Sequence, residues 1–251
     1  MNNDKETYLV LADFHWKHVN KNSLSLAHQI AKDLKPDVLV SLGDSADYEG
    51  ISKFTLKEYG DGVNECEKEL KAFKIGWKEL LVSAGHPKEI ILLGNHDGQR
   101  VEKMLAKLKA KKKTREYNDV KRALDFREHF PNAKVIDYNK FYKKNDLLLT
   151  HGEFHNANHT KTHAQRYCFN MLYGHIHSFS VYTMALKAIG KVITATSMPC
   201  MCNLNPEYLG NRSNSWVNGL AVVTFYNGTH NIEIVQFKKN KAMFRGKLYT
   251  A

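Results

Sequence analysis

No apolar run in this chain approaches the roughly 20 residues that a bilayer-spanning helix requires, and nothing in it reads as a membrane anchor. The stretch from Met1 to Glu6 is polar and lacks the apolar segment of a secretory signal. Cysteine is scarce and unframed, with only Cys66, Cys168, Cys200 and Cys202 in 251 residues. They make no disulfide framework, so the expected compartment is the reducing cytoplasm. Cys200 and Cys202 lack the second pair of a structural zinc site and read as small core or loop residues. There is no internal repeat, no low-complexity tract and no linker long enough to divide the chain. Residues 1–251 are therefore expected to form one α/β domain. Acidic residues are also in deficit: 26 Asp and Glu against 37 Lys and Arg leave a formal charge of +11. That excess favours polyanionic partners such as nucleic acid and would steer phosphorylated substrates inward.

What is present is a succession of short apolar runs. Thr7–Ala12 reads as a buried strand, Ser23–Leu34 as a helix with Leu26, Ile30 and Leu34 on one stripe, and Asp37–Leu42 as a second buried strand. A strand, a helix and a strand in that order predict parallel pairing. Leu70, Phe73, Trp77 and Leu80 mark the inner face of a helix over Asn64–Ala84, and Glu89–Leu93 is a third strand. A basic amphipathic helix is expected over 99–113, with Val101, Leu105 and Leu108 inward, and another over Asp119–His129. Beyond Pro131 strands dominate: Lys134–Tyr138, Lys140–Lys143, Asp146–Thr150, Asn170–Tyr173, Phe179–Leu186, Lys191–Thr196, Leu220–Tyr226 and Asn231–Phe237. Asn227-Gly228 between the last two is a strong hairpin signal.

Five of these strands are each followed at once by side chains that bind metals. They are Asp13 and His15; Asp44; Asn95, His96 and Asp97; His151; and His175 and His177. The C-terminal ends of strands are where open α/β sheets place their sites. A glycine stands beside four of the blocks, where the backbone must turn sharply or approach closely. Carboxylate, amide oxygen and imidazole without thiolate fit hard or borderline divalent ions. Asp13, His15, Asp44, Asn95, His151, His175 and His177 are enough to hold two such ions if a carboxylate bridges them. Paired ions can clamp a phosphate ester and activate a bridging water for in-line attack. His96 is then free to act as general acid or charge stabiliser, and Asp97 is expected to hold its ring.

Each short string is a common turn by itself; the ordered set D-x-H, G-D, G-N-H-D, H-G and G-H-x-H is specific, and it resembles the calcineurin-like metallophosphoesterase superfamily. The resemblance covers Asp13 to His177, about two thirds of the chain. It implies a four-layer αββα sandwich of two mixed β-sheets flanked by helices. It also implies one ion on Asp13, His15 and His177, another on Asn95, His151 and His175, Asp44 bridging, and His96 as the catalytic histidine. The ions implied are two divalent metals, Mn2+ first, with Fe, Zn, Ni and Mg as alternatives.

Around these blocks stand secondary candidates. Asp47 occupies a position that many family members also fill with Asp, and reads as a supporting or capping carboxylate or as a turn residue. Arg100, four residues after His96, is a candidate phosphate clamp, with Asn95 beside it as a second substrate contact; the alternative for Arg100 is a surface salt bridge. His155, His159 and His163 would share a helical face, but Asn156 and Asn158 argue for a loop at the start of that segment. The run Lys103, Lys107, Lys109, Lys111, Lys112, Lys113 and Arg115 is either a nucleic-acid surface or a solvated face. Segment 197–218 is expected to be a loop over the site. Charge and the G-N-H-D block, which resembles the nuclease branch, favour a phosphodiesterase or nuclease. Ala12-Asp13-Phe14-His15-Trp16 and Gly43-Asp44-Ser45-Ala46-Asp47-Tyr48 lack the flanks typical of protein-phosphatase relatives. A phosphomonoesterase and an inactive binding scaffold remain the alternatives.

Overall fold

The structure is a computed structural model that describes residues 5–52, 59–207, 210 and 214–251. Residues 1–4 and the 208–209 and 211–213 parts of the expected loop, with the first half of its NRSNSW stretch, lie outside the described residues. The chain opens with β1 (Glu6–Leu11), α1 (Lys21–Leu34), β2 (Val38–Leu42), α2 (Tyr59–Ala84) and β3 (Lys88–Leu92). Helices α3 (Arg100–Ala110), α4 (Thr114–Leu124) and α5 (Phe126–His129) lead to β4 (Lys134–Ile136). Then come β5 (Tyr142–Lys144), β6 (Leu147–Thr150), α6 (His159–Tyr167), β7 (Asn170–Tyr173), β8 (Ser180–Leu186) and β9 (Lys191–Ser197). Strands β10 (Asn218–Tyr226) and β11 (Thr229–Phe237) and the hairpin β12 (Lys241–Phe244) with β13 (Lys247–Thr250) complete the chain.

The strands form two mixed sheets. One has the order β11-β10-β1-β2-β3-β4 and the other β5-β6-β7-β9-β8. In the first, β1 to β4 are parallel and β10 runs antiparallel between β1 and β11; in the second, β6, β7 and β9 are parallel. Alternation along each strand sorts side chains between layers. In β1, Tyr8 and Val10 face the second sheet and meet Leu147, Leu149 and Leu172. Leu9 and Leu11 face the helices and meet Leu26, Ile30, Phe73 and Trp77. On the far side of the second sheet, Met171 and Tyr173 pack with Ala164 of α6. These layers make the expected αββα sandwich, and every parallel strand of both sheets ends at one edge of it.

Three local departures have physical causes. The helix expected over 119–129 is two helices, broken at Asp125, whose extended backbone (ψ 115) lets its carboxylate cap the Arg127 N–H at 2.9 Å. A π-helical turn, Asn95–Gln99, precedes α3, so the basic helix begins at Arg100 and ends at Ala110. The β12–β13 hairpin, not expected from the sequence, lays Ala242, Phe244 and Tyr249 against the helical layer. Its anchor is Asp33 of α1, which accepts from Tyr249 Oη at 3.0 Å and pairs with Lys247. The Asn227-Gly228 turn forms as expected, both residues with positive φ (47° and 79°).

Phe73 sits at the centre of the helical layer, with the rings of Phe14, Trp16, Trp77, Phe126 and Phe130 within 6.2 Å. Phe73→Ala is expected to lower stability by about 3–5 kcal/mol. Urea denaturation followed by far-UV circular dichroism measures it, and a loss under about 1 kcal/mol would mean that this cluster does not anchor α2.

Candidate metal centre

The loops after β1 and β2 continue the pairing of their strands. Asp13 N–H donates to Gly43 O (3.1 Å), His15 N–H to Asp44 O (2.9 Å) and Trp16 N–H to Ser45 O (3.1 Å). This stitching turns Asp13, His15 and Asp44 inward with left-handed backbones, φ 53°, 40° and 48°. His175 and His177 after β7 are left-handed too, at 72° and 61°. Two glycines make the space for the carboxylates. A Cβ on Gly94 would lie 2.1 Å from Asp44 Oδ1, and one on Gly174 would lie 2.7 Å from Asp13 Oδ2. Instead the backbone takes part: His96 N–H donates to Asp44 Oδ1 (2.8 Å), and His175 N–H to Asp13 Oδ2 (2.9 Å).

All seven side chains converge at the shared edge of the two sheets. Donor atoms of Asp13, His15 and His177 lie within 4.8 Å of one another, as do those of Asp44, His151 and His175. His15 Nε2 and His177 Nε2 stand 3.2 Å apart, and His177 Nε2 is 3.5 Å from Asp13 Oδ1. In the second group His151 Nε2 is 2.9 Å from Asn95 Oδ1 and 3.3 Å from Asp44 Oδ2. Asp44 Oδ2 lies between the groups, 3.8 Å from His15 Nε2. Hydrogen bonds on the outer nitrogens aim these rings. His151 Nδ1 donates to Leu42 O (2.8 Å) and His15 Nδ1 to Asp47 Oδ1 (2.8 Å), so each Nε2 faces inward. Nitrogen and oxygen donors aimed at common points suit hard or borderline divalent ions.

Electrostatics fit the same view. Burial opposes ionisation of Asp13 and Asp44, yet the surrounding imidazoles hold both carboxyls below their ordinary range. Burial would likewise neutralise His151 and His177, but the two carboxylates outweigh it and lift them to about 10 and about 9. His175, farther from compensation, is pushed down to about 4 by burial and by His151. Without cations the site keeps its positive charge as protons on His151 and His177.

His96 stands at the rim, and its partner is not the one expected. Its Nδ1 donates to Asp47 Oδ1 at 2.7 Å, while Asp97 turns away and accepts from Gly94 N–H (2.6 Å) and Ser45 N–H (2.7 Å). Neighbours in sequence point in different directions, so the carboxylate beside His96 in the chain ties two loops together instead. Asp47 thus serves His15 and His96 together. Against the pull of burial, Asp44 and Asp47 raise the His96 pKa. Arg100 Nη1 donates to Asp47 O (2.5 Å), and its Nη2 is 3.5 Å from His96 Nε2. That puts Arg100 at the rim, and among the described residues no carboxylate forms a salt bridge with it.

Of the three later histidines only His155 approaches, its ring 6.2 Å from that of His175. His159 bonds Tyr173 Oη (2.7 Å), and His163 stacks on the Tyr173 ring at 4.0 Å. With Nδ1 donating to His159 O and Nε2 accepting from Glu153 N–H, His163 is a satisfied core residue, held neutral at about 4 by burial. Described residues of the 197–218 segment do lie against the site. Cys202 Sγ is 3.8 Å from His177 Nδ1, and the Trp216 ring is 4.2 Å from that of His177. Neither contact has a signal in the sequence; both join residues far apart in the chain.

The sequence profile of the calcineurin-like phosphoesterase family matches residues 7–179. No curated protein compared with the chain matches it. Among solved structures, vacuolar protein sorting 29 from Cryptosporidium parvum is similar over 98% of this chain and 96% of its own, at 10% identity and a TM-score of 0.45. A single mutant of Vps29 from Entamoeba histolytica is similar over 92% and 99%, at 12% identity and a TM-score of 0.36. TT1561 of Thermus thermophilus is similar over 91% and 98%, at 8% identity and a TM-score of 0.40. Proteins of the matched family generally bind two divalent metals and act on phosphate esters. With the profile covering more than half of its length, the chain belongs to the calcineurin-like phosphoesterase family of metal-dependent hydrolases.

Proposed function

We propose that the protein hydrolyses phosphodiesters at a pair of divalent ions. Asp13, His15 and His177 would hold one ion, Asn95, His151 and His175 the other, and Asp44 both. The observation that carries this is the placement of Asp44 Oδ2, 3.3 Å from His151 Nε2 and 3.8 Å from His15 Nε2, between two sets of inward-facing ring nitrogens. Ions bound there would supply Lewis-acid charge to the phosphoryl oxygens and lower the pKa of water, the nucleophile. The protein does the rest. His96, its Nδ1 fixed by Asp47 and its pKa raised, keeps a proton on Nε2 for the leaving oxygen. Arg100, beside that nitrogen, offers its guanidinium to a non-bridging oxygen. Asp97 braces the loops that carry Asp44 and Asn95. The charge of +11 and the Gly94-Asn95-His96-Asp97 block support a diester over a monoester.

Hydrolysis of bis-p-nitrophenyl phosphate and of p-nitrophenyl phosphate with added Mn2+ tests the proposal. Diester turnover that needs metal and is lost in Asp44→Asn and His96→Ala is the expected result. Monoester turnover alone would make the protein a phosphomonoesterase, and metal binding with no turnover of either ester would make it a scaffold. Asp47→Asn, which removes the carboxylate shared by His15 and His96, is expected to lower kcat/KM for the diester by about 10–100-fold. Activity equal to wild type would show that the rings need no such support.

Because the carboxylates raise His151 and His177 to about 10 and about 9, both rings are protonated near neutrality and must lose those protons to bind ions. Mn2+ affinity is therefore expected to rise with pH through neutrality, with net proton release. Calorimetric titration in buffers of different ionisation enthalpy reads this directly. Heats independent of the buffer would contradict the raised values.

A further inference from the structure

Helix α3 starts at the metal centre and leads away from it. Val101 and Leu108 are buried, and Met104 and Leu105 pack on the core, which fixes the inner face of the helix. Arg100, Lys103 and Lys107 recur at three- and four-residue steps on another face, and Lys111 follows just past the helix end. Lys103, Lys107 and Lys111 are exposed. The helix carries one acidic residue, Glu102, and it lies off this stripe. Lys103 Nζ donates to Gln99 Oε1 (2.8 Å), a neutral partner. No carboxylate among the described residues is paired with Lys103, Lys107 or Lys111. The stripe begins at Arg100, whose Nη2 is 3.5 Å from His96 Nε2, and by helical rise runs about 16 Å outward to Lys111.

We propose that this stripe is the track for the phosphodiester backbone of a nucleic-acid strand whose scissile phosphate lies at the metal centre. The inference rests on the diester reading above and adds the class of substrate. A small diester would be held within reach of Arg100 and His96 and would have no use for cations about 10–16 Å farther along the helix. A strand presents evenly spaced phosphates over just such a distance. An anionic membrane would call for apolar anchors beside the charges, and none of the exposed large apolar side chains, among them Ile189, Val192 and Met243, is on α3.

Wild type is compared with a Lys103→Gln, Lys107→Gln, Lys111→Gln variant and with the corresponding variant carrying Arg at all three positions. Two quantities are read. One is the ratio of kcat/KM for a single-stranded oligonucleotide to that for bis-p-nitrophenyl phosphate, with Mn2+, in DNA and RNA versions. The other is the salt dependence of binding of the same labelled oligonucleotide, followed by fluorescence anisotropy. The ratio is expected to fall at least about tenfold in the Gln variant and to be kept in the Arg variant. The slope of log K against log salt should shrink by about 2, three lost contacts at ~0.7 each. A ratio and slope equal to wild type would overturn the track while leaving diester hydrolysis intact. Absence of wild-type turnover on either diester would overturn the diester reading instead, and the salt slope alone would then decide whether the stripe binds a strand.

Discussion

Asp13 and Asp44 are buried at one edge of the sandwich, at the centre of a cluster of buried polar side chains that includes Asp47, Asp97 and His151, and much of the surrounding structure answers to these two carboxylates. An ionised carboxylate out of water needs close partners or it takes up a proton. Here the partners are backbone N–H groups from His96 and His175 on one side and imidazoles on the other. The backbone donors come from loops after β3 and β7, so the charges bind the two sheets together at the level of the site. Gly94 and Gly174 are bare of side chains because the carboxylate oxygens stand where a Cβ would be. The same charges set the state of the histidines, raising His151 and His177 while His175 stays neutral.

The left-handed backbone at five of the seven candidate ligands follows from the same demand. Asp and His tolerate this region better than most residues, but each such position still costs of order 1–3 kcal/mol. A strand that ends in an extended residue would send its next side chain along the sheet edge. A residue with positive φ folds it back over the end of the strand instead. Stitching of the β1 and β2 loops, from Asp13 N–H to Gly43 O through Trp16 N–H to Ser45 O, offsets the strain and holds the two loops in register.

Sequence reading reached what depends on neighbours along the chain. Apolar runs such as Tyr8–Leu11 and Val38–Leu42 located the parallel strands, and the polar block after each run located the candidate ligands. It stopped where the structure depends on residues brought together from afar. His96 and Asp97 are adjacent, yet the ring is held by Asp47 from the β2 loop. The β12–β13 hairpin is short and its strands begin with lysine, so it carries little apolar signal until Phe244 and Tyr249 meet the helical layer. Trp216 lies against His177 because the loop before β10 folds back over the edge where β7 ends.

Asp47 shows how the site and the basic helix are joined. Its carboxylate aims His15 inward and His96 at the rim, and its carbonyl receives the guanidinium of Arg100, the first residue of α3. One residue after β2 thus fixes a candidate metal ligand, a candidate proton donor and the start of a cationic helix. A shift of this loop would move all three together. The direction in which α3 leaves the site is set by the same contacts that orient the groups at its chemical centre, so a chain held by Lys103 and Lys107 would be presented to His96 in a fixed register.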